Sequence, residues 1–419
     1  MKQLLAYCLS IILCVSFTGC MENYLDLYPE DKITSASFPE NESDIKLLLN
    51  GVYAQLREKE VYNQGLFGFG ITDGATPNAF NWGTDEVFNK LGAGRLSSSD
   101  GGVVTYRWKR CYEIISRANY LLACMDLVDL SEEAKAKYSG ETHFLRGLAY
   151  SVLAETYGGV PIILTDISTE EARSLKRASL EETWQQALDD YEVAITNLGV
   201  DAPEPGRATK GAALGMKMRA YLYQGKYKEV LSCVEQIDAL KKYGLFHSYE
   251  GLFDPANENN KEVLFDIQYI EGENSQGSYI DQYCGTGTGS WTRGSRYVPT
   301  DDLVAAYETI DGSPVDPENP YENRDPRLGF TAVLPGSYFL GYRFPNYLYP
   351  GGAFNHAGNR LKHLSTRKYR IQDESKLPPS GQSYINDIIL RYADVLLSKA
   401  EAIIAVSYTH LTLPTNSRV

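Results

Sequence analysis

Residues 210–241 read KGAALGMKMRAYLYQGKYKEVLSCVEQIDALK. Ala213, Leu214, Ala220 and Tyr221 carry the apolar spacing of one helix over Lys210–Gln224. Gly225-Lys226-Tyr227 supplies a tight turn, and Val230 and Leu231 open the apolar face of a second helix over Tyr227–Lys241. Small residues such as Ala213 and Ala220 let two helical rods approach closely, so the stretch predicts a packed helical hairpin.

That hairpin resembles a tetratricopeptide unit, which stacks on its neighbours into a right-handed helical scaffold. The flanking sequence supports a diverged, imperfect repeat more than an isolated generic hairpin. Phe144, Leu145, Leu148, Ala149, Val152 and Leu153 predict a helix over Glu141–Tyr157, stopped by Gly158-Gly159 and Pro161. Trp108, Tyr112, Ile115, Ala118, Leu121 and Leu122 line one over Val104–Met125. Ile45, Leu48, Leu49, Val52, Tyr53 and Leu56 line another over Ser43–Glu58, with Ser43 or Asp44 as its cap. Further helices are expected over Leu180–Leu198 and Ile389–Ile404. Between them, residues 60–102 and 245–385 are rich in Gly, Asn, Pro and aromatics and read as long ordered irregular regions. Val263–Tyr269 is a strand-like exception.

The N-terminus sets the compartment. Lys2, an apolar run from Leu4 to Phe17 and the ending Thr18-Gly19-Cys20 describe a bacterial lipobox, with residues 1–19 as signal peptide and Cys20 as the acylated residue. An ordinary signal with an incidental cysteine, or an uncleaved anchor, is the alternative. Several acyl chains, palmitate among them, are needed for firm anchoring. The formal charge of −14 grows by one unit when Lys2 leaves, and no basic cluster offsets it, which argues against nucleic acid as a partner. Of seven cysteines, Cys8, Cys14 and Cys20 belong to the leader, and Cys111, Cys124, Cys233 and Cys284 are too scattered for a CxxC site. The five histidines show no ligand spacing, so no zinc and no cofactor is expected, while a structural calcium is left open. The 31 tyrosines suit a carbohydrate- or protein-facing surface, and helix packing accounts for them nearly as well.

Several stretches in order resemble the SusD/RagB family of outer-membrane nutrient-binding lipoproteins. They are Tyr24-Leu25-Asp26-Leu27 with Pro29, Leu49-Asn50-Gly51-Val52-Tyr53, Phe144-Leu145-Arg146-Gly147-Leu148-Ala149-Tyr150 and Tyr157-Gly158-Gly159-Val160-Pro161. Gly206-Arg207-Ala208-Thr209-Lys210, Asn323-Arg324-Asp325-Pro326-Arg327-Leu328 and Leu390-Arg391-Tyr392-Ala393-Asp394-Val395-Leu396-Leu397 before Ala400-Glu401-Ala402 follow. The resemblance implies a mainly α, SusD-like fold over residues 20–405: a tetratricopeptide-like helical-hairpin scaffold, a large loop-rich region and a few short strands. It implies a surface lipoprotein that binds glycans and delivers them to a SusC-like TonB-dependent transporter, anchored on the outer membrane and facing the exterior. Glu22, close behind the lipobox cysteine, fits surface display. Capture of peptide or glycopeptide, or a purely protein-binding scaffold, are the alternatives.

Arg146 and Arg391 lie on stretches read as apolar helices and call for carboxylate or carbonyl partners, and Asn323–Arg327 reads as a turn tied by its own charges. For the ligand, Asp73, Asn78, Asn81 and Trp82 form one candidate group, and Tyr279, Tyr283, Trp291, Arg293 and Arg296 a second. Aromatic rings stack on sugar faces while amides, carboxylates and guanidinium groups bind hydroxyls; equally, Trp82 and Trp291 could anchor their loops to the core. Catalysis is not expected. Asp85-Glu86 and Asp301-Asp302 are neighbours in sequence rather than acids facing across a bond, and Gly285-Thr286-Gly287-Thr288-Gly289 lacks the rest of a phosphate loop. Residues 406–419 depart from the family pattern, consistent with a truncated frame that would leave the helix ending near Ile404 with an uncovered apolar face.

Overall fold

The computed structural model describes residues 38–57, 73–81, 90–97, 99–272, 277–278, 280, 297–339, 342–343, 364–371, 373–376 and 382–411. Cys20 and the leader, Trp82, Asp85-Glu86, Tyr279, Tyr283, Gly285–Gly289, Trp291, Arg293 and Arg296 lie outside them.

The scaffold is helical. Helix α1 (Glu42–Ala54) starts at Asn41 rather than Ser43 or Asp44. Asn41 is extended and its Oδ1 accepts from Ser43 N at 2.9 Å, while Asp44 Oδ2 reaches back to Asn41 N at 3.3 Å, closing a capping box. Helix α2 spans Val103–Cys124 and α3 spans Glu132–Tyr157. The latter begins well before the expected Glu141, because Ser131 accepts from Ala134 N at 3.1 Å and Glu132 and Glu133 complement the first turn. Those turns carry few large apolar residues, so periodicity alone does not register them. After short α4 (Thr169–Ser174) come α5 (Leu180–Asn197), α6 (Lys210–Tyr223) and α7 (Tyr227–Ala239). Helix α1 packs on α2, α2 on α3, α3 on α5, α5 on α6 and α6 on α7, the serial arrangement of a hairpin stack. At Gly147 a Cβ would lie 3.1 Å from Ala187 O, so the small residue sets how closely α3 and α5 approach.

The core follows from this stacking. Phe144, Tyr150 and Tyr191 are fully buried, each worth roughly 1.5–3 kcal/mol in burial. The two tyrosine hydroxyls are satisfied: Tyr191 shares a bond with Ser151 Oγ at 2.9 Å, and Tyr150 OH donates to Ile163 O at 2.9 Å. Tyr112 OH donates to Pro161 O at 2.7 Å, so α2 and α3 together hold the strap that follows Gly158-Gly159. These tyrosines serve helix packing, the second of the two readings of the composition. Cys111, Cys124 and Cys233 are buried free thiols, and burial pushes Cys111 up to about 12.

Arg146 emerges from α3 into a buried carboxylate. Its Nε and Nη2 donate to Asp190 Oδ2 and Oδ1 at 3.0 and 2.7 Å, and Nη1 donates to Asn119 Oδ1 at 2.8 Å. The Leu49–Tyr53 and Gly206–Lys210 motifs meet through Tyr53, whose hydroxyl donates to buried Glu141 at 2.8 Å and accepts from Ala208 N at 2.9 Å. Arg207 stacks 4.9 Å over the Tyr53 ring.

The irregular half is stitched by two-stranded antiparallel pairs. Strand β1 is Ala79–Asn81, β2 Val263–Ile267 and β3 Tyr297–Pro299. Helices α8 (Asp301–Ala306) and α9 (Arg327–Thr331) follow, then β4 (Ala332–Val333), β5 (Tyr338–Phe339), β6 (Tyr342–Arg343), β7 (Ser365–Thr366) and β8 (Asp387–Arg391). The pairs are β1 with β3, β2 with β8, β4 with β7 and β5 with β6.

Two expectations are corrected here. Residues 389–391 belong to β8, and helix α10 starts only at Tyr392, because Ile388, Leu390 and Arg391 pair with β2, with Ile389 at a register shift, and the strand covers α6. Arg391 therefore closes a strand, where it meets buried Glu262 at 2.8 Å. Helix α10 (Tyr392–Leu411) packs on α7 and continues past Ile404. Its outward residues Leu397, Ile403 and Ile404 are 70%, 47% and 56% exposed.

Candidate functional site

The first candidate segment is shaped by its own turn chemistry. Asp73 opens a single 3₁₀ turn over Asp73–Ala75; its carbonyl accepts from Thr76 N at 3.0 Å and from Thr76 Oγ1 at 2.9 Å. Thr76 Oγ1 in turn accepts from Asn78 N at 3.1 Å, which delivers the chain into β1. There Ala79 faces inward, and Phe80 presents its ring with 43% exposure beside exposed Asn78.

Strand β1 pairs with β3 as Ala79↔Pro299, Phe80↔Val298 and Asn81↔Tyr297. The pairing is antiparallel, so the end of β1 at Asn81 lies beside the start of β3 at Tyr297. Two strands more than two hundred residues apart in sequence, β1 within the first candidate segment and β3 just after the second, are joined by one backbone ladder. Thr300 locks it: its N–H donates to Asn78 O at 3.1 Å, its hydroxyl donates to Pro77 O, and the same oxygen caps α8 by accepting from Leu303 N at 3.1 Å. Asp301 and Asp302 are exposed in the first turn of α8, where carboxylates complement the helix dipole.

Behind α8 the Asn323–Arg327 corner is structural. Arg324 is 7% exposed and donates to the carbonyls of Tyr307 at 3.0 Å, Pro320 at 2.6 Å and Val304, while Asp325 clasps Arg327 Nε at 3.0 Å. The turn is tied as the sequence suggests, with Arg324 spent on backbone oxygens.

Asp73 turns toward the interior. Its carboxylate raises the pKa of Asp387 and acts on Lys368 and Tyr369. Burial first, then Asp73 and Asp266, push Asp387 up to about 7. Glu258 also rises to about 7, by burial, although it accepts from Asn386 N at 2.7 Å. Asn386 organises this acidic patch, donating to Asp266 Oδ2 at 3.2 Å and accepting from Tyr269 N at 2.9 Å. Among the described residues no group of three His, Cys, Asp or Glu could hold a metal ion.

Of the candidate residues, the structure thus places Asp73 as a half-buried inward acid, Asn78 as an exposed polar group and Asn81 in the β1 ladder. Phe80 was overlooked; the alternation Asn78-Ala79-Phe80-Asn81 was the available signal. Arg367-Lys368-Tyr369-Arg370, which runs on from β7 beneath this region, was overlooked as well.

Two family models match in succession: one described as starch-binding and associating with the outer membrane covers residues 23–222, and one described as SusD family covers 261–413. The chain belongs to the SusD family. A SusD-like protein of Formosa agariphila is 26% identical over 321 residues, covering 71% of this chain and 58% of its own length. The chain thus spans little more than half of that SusD-like relative. Among solved SusD-like structures, a carbohydrate-binding protein of Bacteroides fragilis superposes with a TM-score of 0.77 at 27% identity, covering 87% of this chain and 74% of that one. A laminarin-binding SusD-like protein shares the fold at TM-score 0.68 and 20% identity, covering 87% and 80%.

Proposed function

We propose that this SusD-family chain is a non-catalytic, cell-surface glycan-binding lipoprotein that captures oligo- or polysaccharide and passes it to a TonB-dependent outer-membrane transporter. The observation that carries the glycan part is the exposed ring of Phe80 beside Asn78 on β1, in a ladder whose other strand, β3, directly follows the second candidate segment in sequence. An exposed ring next to an amide side chain is the chemistry that binds pyranose faces and hydroxyls. Kinship with a carbohydrate-binding and a laminarin-binding protein supports the same reading. Trp82, Asn81, Tyr283, Trp291 and Arg296 complete the proposed surface.

Anchoring rests on the lipobox at Cys20, with residues 1–19 removed and Met21–Leu27 as tether. Among the described residues no helix is long and apolar enough to cross a membrane.

Isothermal calorimetry against a glycan panel that includes laminarin tests the capture step. Binding that weakens about tenfold or more in Phe80→Ala and Trp82→Ala, with unchanged melting temperature, is the expected result. Absence of binding to every glycan, with a transporter still recovered in pull-down, supports the protein-scaffold alternative; binding of peptides alone supports peptide capture. Sugar release from any substrate overturns the non-catalytic reading. Cys20→Ala should move the protein from the membrane to the soluble fraction.

A further inference from the structure

A cavity of about 310 Å³ is walled by the rings of Phe253, Phe330 and Tyr369, the acids Glu250 and Asp254, and the bases Lys368 and Arg370. Its volume is at the lower end of small-ligand sites. Three aromatic rings with two acids and two bases make a wall that can orient one ring-shaped charged ligand.

The charge balance of the wall is specific. Three cations approach its aromatic rings. Arg391 sits 5.6 Å from the Phe253 ring and is neutralised by Glu262 at 2.8 Å. Arg367 sits 5.9 Å from the Phe330 ring and is neutralised by Glu250 at 2.7 Å. Lys368 Nζ lies 4.5 Å from the Phe253 ring centroid and 5.0 Å from that of Tyr369. Among the described residues, however, its polar partner is the Tyr249 hydroxyl, and no carboxylate lies within ion-pairing distance. Asp254, which also lines the cavity, has its Oδ1 engaged by Ala256 N at 2.9 Å, and Asp73 acts on Lys368 only at longer range. Burial, with Arg391 adding to it, holds the amine below the usual lysine range. Cation–π contact compensates part of the lost hydration, and an anion entering the cavity would restore the rest.

The backbone holds the cation in place. Arg367 N and Lys368 N both donate to Thr331 O, at 2.9 and 3.2 Å, and Tyr369 adopts φ 59°, a conformation rare for a bulky residue. The Lys368-Tyr369 turn is therefore fixed by α9 before any ligand arrives.

We infer that this cavity is a subsite for an anionic sugar residue, whose carboxylate or sulfate pairs with Lys368 while its ring lies against Phe253 and Tyr369. The inference rests on the glycan-capture reading and narrows it to polymers that carry acidic residues.

Calorimetry on the mature chain with an oligogalacturonide, a sulfated oligosaccharide, a size-matched neutral oligoglucoside and inorganic sulfate tests it. At least one acidic oligosaccharide should bind about tenfold more tightly than the neutral one, and Lys368→Met should abolish that preference while leaving neutral binding unchanged. Lys368→Arg should retain it. The carboxylated and sulfated arms identify the acidic group. Equal affinity for acidic and neutral ligands, or an acid preference untouched by Lys368→Met, overturns the subsite and leaves glycan capture standing. Binding of inorganic sulfate as tight as that of the sulfated sugar also overturns it. Failure of every glycan to bind overturns both. Should Lys368→Met fail to fold, acylation of Lys368 in the wild-type chain, read by mass spectrometry, decides: protection by the acidic ligand but not the neutral one supports the subsite, and equal labelling refutes it.

Discussion

Asp190→Ala isolates the buried ion pair that joins α3 to α5. Asp190 is 1% exposed and Arg146 6%, so neither group can turn to water when its partner is removed. The substitution deletes the bidentate contacts at 3.0 and 2.7 Å and leaves the guanidinium with Asn119 Oδ1 at 2.8 Å as its remaining partner. A buried charge stripped of its counter-ion costs about 3–5 kcal/mol, more than the deleted hydrogen bonds are worth net. Asp190→Leu combined with Arg146→Met removes both charges, and its cost should fall well below that of the single change, to within about 1–2 kcal/mol of wild type. Urea unfolding followed by far-UV circular dichroism measures both. A shift of Asp190→Ala within about 1 kcal/mol of wild type, or a double variant no more stable than the single one, would refute the desolvation argument and return the pair to the class of weak surface bridges.

Gly158 and Gly159 should respond differently to alanine. Gly158 has φ 76° with open space around a would-be Cβ, so Gly158→Ala should cost about 1 kcal/mol, whereas at Gly159 a Cβ would fall 2.1 Å from Ala178 O, and Gly159→Ala should cost clearly more in thermal melts. Asp387 has a folded-state pKa of about 7, above its unfolded value, so its contribution is fully present below about pH 4 and is lost as pH rises through 7. Stability should therefore decline from pH 5 to pH 8, and Asp387→Asn should reduce that slope by on the order of 1–3 kcal/mol while Glu258 sustains the remainder; an unchanged slope in denaturant titrations across this range contradicts the assignment. Thr300→Val removes the cap of α8 and the tie to Pro77, and should cost about 1 kcal/mol and weaken glycan binding together, as paired calorimetry and melting would show.

The helical half was legible because its signal is local. Apolar residues at helical spacing over residues 210–241 predicted α6 and α7, and Gly158-Gly159 with Pro161 marked the end of α3. Arg146 announced a buried partner by lying on an apolar stretch, although nothing in the chain near it pointed to Asp190. The start of α3 and the strand character of residues 389–391 were misread for opposite reasons. The first depends on a capping serine ahead of a polar run, and the second on a pairing partner in β2 far away in sequence.

The candidate face shows the same division. Composition marked Asp73, Asn78 and the later aromatic segment as chemically suited to sugars, because residue type is a property of the chain alone. Which of them share a surface depends on pairings between distant segments. The β1–β3 ladder ties Asn81 to a strand far away in sequence, Asp73 turns inward to Asp387 and Lys368, and Phe80, whose alternation is visible locally, acquires its pairing partner Val298 only on folding. The unneutralised charge of Lys368 likewise exists only after folding has brought Glu262 to Arg391 and Glu250 to Arg367 and supplied no acid for the third cation among the described residues. Sequence by itself thus determined the scaffold, the family and the kinds of side chain available. Tertiary structure decided which side chains meet and which charges remain to be satisfied, because burial and charge pairing are set by neighbours in space.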